Sequence, residues 1–257
     1  MVPEIGLGTW KYKGGPAPLQ KGIDLGANLI DTAEMYRTED AVGAAIKDRR
    51  DKVFLATKVL GSNLRRDAVL RSAETSLRLL KDDVIDLYQI HWSDSSVPIA
   101  ETMGAMEKLV DRGMVRYIGV SNFSVPEMKD AQHAMTKYPL VSNQVLYNLK
   151  SREIERDLIP YCEENNITVI AYTPLADGSL ARRSRLLPDK RGSVLEKMAR
   201  EVGKTPAQVA LNWCLSRPNV IVIPKTNSVE RTIENCEASG WSLTAEQVAV
   251  LDKAFPL

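Results

Sequence analysis

Val53-Phe54-Leu55-Ala56-Thr57-Lys58-Val59, the stretch 64–80, and then Ile85-Asp86-Leu87-Tyr88-Gln89-Ile90-His91 decide how this chain folds. The two outer segments are short and dominated by aliphatic, aromatic and β-branched residues, which suits strands. The segment between them carries Leu70, Ala73, Leu77 and Leu80 at the spacing of an amphipathic helix. Strand, helix and strand in succession imply a parallel pair joined by a right-handed crossover.

The same unit recurs in both directions. Further β-rich runs occupy residues 5–9, 28–33, 115–122, 141–148, 168–175 and 219–226, with starts mostly roughly 23 to 32 residues apart. The one long gap, before the last run, holds a loop and extra helical sequence. Eight such units suit a closed barrel better than an open sheet. The expected fold is therefore α/β, a single (β/α)8 TIM barrel over residues 1–257 with short N- and C-terminal extensions, at the size of about 250 residues usual for that fold. Gly14-Gly15-Pro16-Ala17-Pro18 reads as the first strand-to-helix loop, and no low-complexity linker divides the chain. Ser228 and the Thr244-Ala245-Glu246-Gln247 box read as helix caps.

Composition narrows the function classes. An apolar content of 44% and a charged content of 26% are ordinary for a globular protein. A formal net charge of +1 lacks the basic excess that nucleic-acid binding usually leaves. The three cysteines, Cys162, Cys214 and Cys236, are too scattered for a disulfide framework or a zinc site, so no metal is expected. No run approaches the roughly 18 apolar residues of a membrane span, and the first residues lack signal-peptide character, which places the protein in the cytoplasm.

Asp31, Lys58 and His91 stand at or just past the ends of three successive strand runs, with Tyr36 close behind Asp31. In barrels of this type strand C-termini converge on the active-site face. Tyrosine, with an ordinary pKa of about 10, is a poor acid near neutrality and needs a neighbouring cation. Lys58 supplies one, and Asp31 is placed to keep a buried Lys58 charged. His91 then orients a polar substrate atom. Taken singly each residue has a plainer reading: Asp31 and Tyr36 as caps or packed edges, Lys58 as a solvated loop residue or a Schiff-base amine. His133, inside a helix without companions, reads as structural or surface.

Asp31-Thr32-Ala33-Glu34-Met35-Tyr36 with Glu39 and Gly43 resembles the first signature of the aldo-keto reductases. Met114-Val115-Arg116-Tyr117-Ile118-Gly119-Val120-Ser121-Asn122-Phe123 resembles the family's middle signature. Ile223-Pro224-Lys225-Thr226 through Arg231, Glu234 and Asn235 resembles its cofactor segment. The resemblance implies an NADPH-dependent reduction of an aldehyde or ketone, reversible to alcohol oxidation. Tyr36 is then the general acid, Lys58 lowers its pKa, Asp31 holds Lys58 charged, and His91 positions the carbonyl.

The resemblance also implies how the cofactor is held, since Gly6-Leu7-Gly8 fails the strand-to-helix test of a Rossmann fingerprint. Ser121, Asn122 and Gln144 match carboxamide positions, and Tyr172 matches the aromatic under the nicotinamide. Thr173 and Leu175 are further cofactor-binding candidates, and Leu175 opens a loop, 175–191, that serves the family as a belt over the cofactor. The loop runs through Arg182-Arg183-Ser184-Arg185 to Lys190-Arg191, and its basic residues together suit the pyrophosphate with no single Arg assigned, the plainer reading being a solvated loop. Lys225, Thr226, Asn227 and Arg231 surround a helix start suited to a 2′-phosphate, and Glu234 and Asn235 match adenine contacts. Without the motif, Arg231 would read as an exposed helix charge and Tyr172 as strand-end packing.

Trp10 and Trp92 match pocket walls around a small-molecule carbonyl. Relatives often carry an N-terminal hairpin and a longer C-terminal tail, and their lack here predicts a more open pocket and broad acceptance. Ala27-Asn28 departs from the aromatic and Arg usual before Asp31, which concerns packing. The resemblance suggests a monomer. Two readings of other classes stand beside the reductase: a nicotinamide-binding regulatory subunit with little turnover, and a Schiff-base lyase or isomerase on Lys58. The first is the role of relatives attached to potassium channels, for which the long extra N-terminal segment expected to engage a channel is lacking here, and the second leaves 225–235 without a purpose.

Overall fold

The structure is a computed structural model that describes residues 2–181 and 190–257. Eight strands lie in one sheet in chain order, each parallel to the next. They are β1 (Leu7–Gly8), β2 (Leu29–Asp31), β3 (Phe54–Val59), β4 (Ile85–Ile90), β5 (Val115–Ser121), β6 (Leu140–Leu146), β7 (Thr168–Tyr172) and β8 (Val220–Val222). Closure comes from β8 pairing with the chain around β1. Val222 N donates to Glu4 O at 2.9 Å, Gly6 N to Val222 O at 2.8 Å, and Gly8 N to Pro224 O at 3.2 Å. A Cβ on Gly8 would stand 2.7 Å from the Ile223 carbonyl oxygen, so only glycine lets this seam close.

Helices follow the strands as α1 (Pro16–Asp24), α2 (Glu39–Ile46), α3 (Arg66–Leu80), α4 (Ile99–Asp111), α5 (Val125–Ala134) and α6 (Leu158–Glu164). The long gap before β8 holds α7 (Lys190–Glu201) and α8 (Pro206–Leu215), and α9 (Val229–Cys236) and α10 (Ala245–Ala254) complete the chain. Helix α9 packs against α1, closing the outer layer where β8 meets β1. The first loop is shorter than expected, because Pro16 to Pro18 form the first turn of α1. Proline suits that position, where its missing N–H would have no helical partner anyway. Ser228 Oγ accepts from Arg231 N, and Thr244 and Gln247 form the capping box read from the sequence.

Alternation along the strands builds two cores. Leu29, Ala56, Leu87, Ile170 and Ile223 meet inside the barrel, while the opposite faces, such as Ile30, Leu55 and Tyr88, pack under the helices. This parity positions the site. Asp31 lies two residues beyond Leu29, Lys58 two beyond Ala56, and His91 four beyond Leu87, so all three follow interior residues towards the C-terminal rim. Ala27 is buried, whereas Asn28 leaves its side-chain Oδ1 buried without a partner among the described residues. His133 is exposed, Cys162 and Cys214 are buried, and Cys236 is half-buried. Among the described residues no helix is long and apolar enough to cross a membrane, and no cluster of His, Cys, Asp and Glu is arranged to hold a metal.

Candidate active site

Lys58 lies at the centre, fully buried, with its ammonium among three oxygens. Its Nζ donates to Asp31 Oδ1 at 2.7 Å, to the Thr32 carbonyl at 2.8 Å and to the Tyr36 hydroxyl at 3.3 Å. Asp31 is 1% exposed, and its second oxygen accepts from Gln144 Nε2 at 2.7 Å. Tyr36 ends a 3-10 turn, Glu34–Tyr36, that follows β2 and swings the ring over Lys58. His91 meets the Tyr36 ring edge-on at 5.4 Å between centroids, and Trp10 packs on the other side at 5.0 Å.

Electrostatics settle the charge of each group. Burial alone would lower the Lys58 pKa, yet Asp31 and Tyr36 outweigh it and hold the ammonium above its ordinary value. Lys58 pulls on the Tyr36 phenol in the expected direction, against a larger opposing effect of burial. Burial raises its pKa, Lys58 pulls it down, and burial wins, so it rests above the ordinary value of 10. Burial and the nearby Lys58 charge depress His91 from 6.5 to about 4, which leaves a neutral imidazole near pH 7. Its Nδ1 is buried and without a partner among the described residues, and the residue lines the cavity.

A cavity of about 670 Å³ opens above these groups. Asp31, Tyr36 and His91 line it, as do Trp10, Trp92, Ser121, Asn122, Gln144, Tyr172, Thr173 and Leu175. At its far end lie Lys225, Thr226, Asn227, Arg231, Glu234 and Asn235. Every described candidate thus reaches the cavity except Lys58, which sits beneath its floor. An amine so enclosed is badly placed for a Schiff base. Lys11 and Met35 also line the cavity and were not singled out from the sequence, although Lys11 directly follows Trp10. Arg182, Arg183 and Arg185 lie outside the described residues.

The nicotinamide candidates are already bonded to one another. Tyr172 OH donates to Asn122 Oδ1 at 3.0 Å, Asn122 Nδ2 to the His91 carbonyl at 3.1 Å, and Ser121 Oγ to the Gln144 carbonyl at 2.8 Å. Asn122 takes a positive φ of 61°, which turns its amide off the end of β5. At the far end Asn227 Oδ1 accepts from Lys13 N at 2.9 Å and ties the first loop to the segment before α9. Burial and the charges of Lys11 and Lys13 lower the Lys225 pKa. None of Lys11, Lys13, Lys225 and Arg231 makes an ion pair with a described carboxylate. Such unanswered positive charge, beside a helix start, fits the phosphates of a dinucleotide.

Residues 4–255 match the family model described as "Aldo/keto reductase family". The chain belongs to this family. It is 38% identical to the methylglyoxal reductase YeaE of Escherichia coli over 265 residues, covering 99% of this chain and 92% of that one. The glyoxal reductase of Bacillus subtilis is 33% identical over 257 residues, covering 98% and 88%. An aldo/keto reductase from Klebsiella pneumoniae, solved with NADP and acetate, superposes with a TM-score of 0.88 at 39% identity, covering 99% and 92%. A second Klebsiella pneumoniae structure, of an aldo-keto reductase solved with NADPH, superposes with a TM-score of 0.89 at 38% identity, covering 99% and 92%.

Proposed function

We propose that this aldo-keto reductase reduces small aldehydes and ketones, and oxidises the alcohols in reverse, with Tyr36 as the proton donor. The observation that carries the reading is the single contact set at Lys58, which touches both Asp31 and the Tyr36 hydroxyl beneath the cavity. Bound NADPH supplies the hydride. Neutral His91 offers Nε2 to the carbonyl oxygen and holds it beside the phenol, which hands over its proton. Lys58 offsets the charge left on Tyr36, and Asp31 keeps Lys58 protonated. Ser121, Asn122, Gln144, Tyr172, Thr173 and Leu175 hold the nicotinamide half, and residues 225–235 hold the adenosine half. Trp10, Trp92 and Met35 form an apolar wall for a compact substrate. Two relatives named for methylglyoxal and glyoxal make 2-oxoaldehydes the first compounds to try. The enzyme works as one barrel domain, a monomer in the cytoplasm.

The test is NADPH titration by intrinsic fluorescence, followed by an aldehyde panel read from the absorbance of reduced nicotinamide. Tyr36→Phe should lower kcat by about 10²- to 10⁴-fold with little change in NADPH affinity. Ordinary turnover by that variant would remove Tyr36 from the mechanism. Tight cofactor binding without turnover of any carbonyl by the parent protein would favour a regulatory role.

A further inference from the structure

Tyr36 sits on no strand, so the hydrogen-bond ladder of the barrel does not fix its hydroxyl. Two other sets of bonds hold the loop 31–38 that carries it. At the base, the buried hydroxyls of Thr9, Thr32 and Thr38 are linked at 3.1 and 3.0 Å, and Thr9 Oγ1 donates to the Asp31 carbonyl at 2.9 Å. Each hydroxyl has one proton to give. The chain therefore runs from Thr32 to Thr38 to Thr9 to Asp31, and closes the loop on itself.

The outer edge is held by Glu34, which starts the same 3-10 turn and does not line the cavity. Its Oε2 accepts from Leu60 N at 2.9 Å, and its Oε1 from Asn63 Nδ2 at 2.8 Å and Ser72 Oγ at 3.4 Å. Leu60 lies two residues past Lys58, Asn63 ends the next 3-10 turn, and Ser72 belongs to α3. No described lysine or arginine pairs with Glu34. Its oxygens are given to neutral donors of the neighbouring unit, which joins the turn of the acid to the strand of its cation.

We propose that Glu34 is a positioning residue for Tyr36, clasping the acid's turn to Leu60, Asn63 and Ser72 so that the phenol stays in reach of Lys58 and of the carbonyl. The inference rests on Tyr36 being the proton donor. Without the clasp the turn keeps its bonds at the base and the 3.3 Å contact of the Tyr36 hydroxyl with Lys58, but nothing ties its outer edge to the neighbouring unit, and a misplacement of about 1 Å costs on the order of 10²-fold in rate. Glutamine at 34 still presents a carbonyl oxygen to Leu60 N, and Asn63 can rotate its amide to match. Alanine presents nothing.

The experiment compares Glu34→Ala, Glu34→Gln, Asn63→Ala and Tyr36→Phe in the full-length protein with NADPH and one aldehyde. NADPH affinity, Tm and the pH profile of kcat are measured on each. Glu34→Ala is expected to lose about 10- to 100-fold in kcat while NADPH affinity stays within about 2-fold. Its alkaline limb should move to higher pH, because a displaced Tyr36 loses the pull of Lys58. Glu34→Gln should restore most of the turnover. Asn63→Ala, which leaves the acid's turn untouched, should show a smaller loss with the same upward limb shift.

A merely structural Glu34 would lower Tm and cofactor affinity together and leave the limb in place. That result, or turnover of Glu34→Ala within about 2-fold of the parent, overturns the proposal. If Glu34→Ala does not fold, an unmoved limb in both remaining clasp variants has the same force. Inactive Tyr36→Phe beside fully active Glu34→Ala rejects the clasp alone, whereas active Tyr36→Phe rejects the acid on which it depends.

Discussion

His91 carries a cost that makes the site readable by pH. Its pKa falls from 6.5 to about 4 in the folded protein, so the unfolded chain binds the proton first as pH drops. Stability contributed by the neutral imidazole is therefore complete above pH 6.5 and is lost as pH falls towards 4. At 1.36 kcal/mol per unit the total is about 3 kcal/mol, an order-of-magnitude figure for a side chain this enclosed. Urea unfolding between pH 7 and pH 4 should show a shallower slope for His91→Gln than for the parent, and equal slopes would mean that His91 protonates freely. Asp31, Lys58 and His91 were legible in the sequence because each stands at or just past the end of a strand run, and the structure adds that each lies an even number of residues beyond an interior aliphatic. The acidity of Tyr36 was not legible. It is the difference between burial and the pull of Lys58, and a linear motif contains neither depth nor distance. The role of Glu34 was hidden for a related reason, since its partners Leu60, Asn63 and Ser72 lie in the next unit of the barrel.

At the scale of elements, the helix α2 shows why one glycine accompanies the first motif. A Cβ on Gly43 would stand 2.4 Å from the Leu80 carbonyl oxygen and 2.9 Å from the Leu80 Cα, so α2 crosses the end of α3 backbone to backbone. Helix propensity alone favours alanine over glycine by about 1 kcal/mol. Overpacking against a rigid backbone costs about 1–3 kcal/mol or more and should outweigh that gain. Gly43→Ala is expected to be net destabilised by chemical denaturation. Because α2 follows directly on the loop of Tyr36, kcat should fall along with stability. A more stable Gly43→Ala protein would show that the two helices can move apart freely. The alternation of strands and helices was visible beforehand because its periods of two and 3.6 residues are local. Strand ends were less so: β7 stops at Tyr172, and Thr173 turns away with a φ of 51°, a break that apolar composition through Leu175 concealed.

Across the whole molecule, a net charge of +1 conceals a local field. Lys11, Lys225 and Arg231 line the cavity and Lys13 stands beside Asn227, all without ion-pair partners among described carboxylates, and the Lys225 pKa falls partly because Lys11 and Lys13 repel its charge. A ligand that brings several negative charges would relieve that repulsion, so the patch is expected to act on cofactor choice and capture more than on the fold. The 2′-phosphate is the part of NADPH that NADH lacks, and Arg231 stands at the helix start suited to it. Salt separates this electrostatic share from the rest of binding, because the screening length shrinks from about 30 Å at 0.01 M to about 3 Å at 1 M. The Kd for NADPH should therefore rise about 10-fold or more over that range, and the Kd for NADH considerably less. Arg231→Ala should weaken NADPH more than NADH and flatten the salt dependence of NADPH alone. If both cofactors lose affinity equally, Arg231 does not read the phosphate, and the discrimination lies with Lys225 and the first-loop lysines.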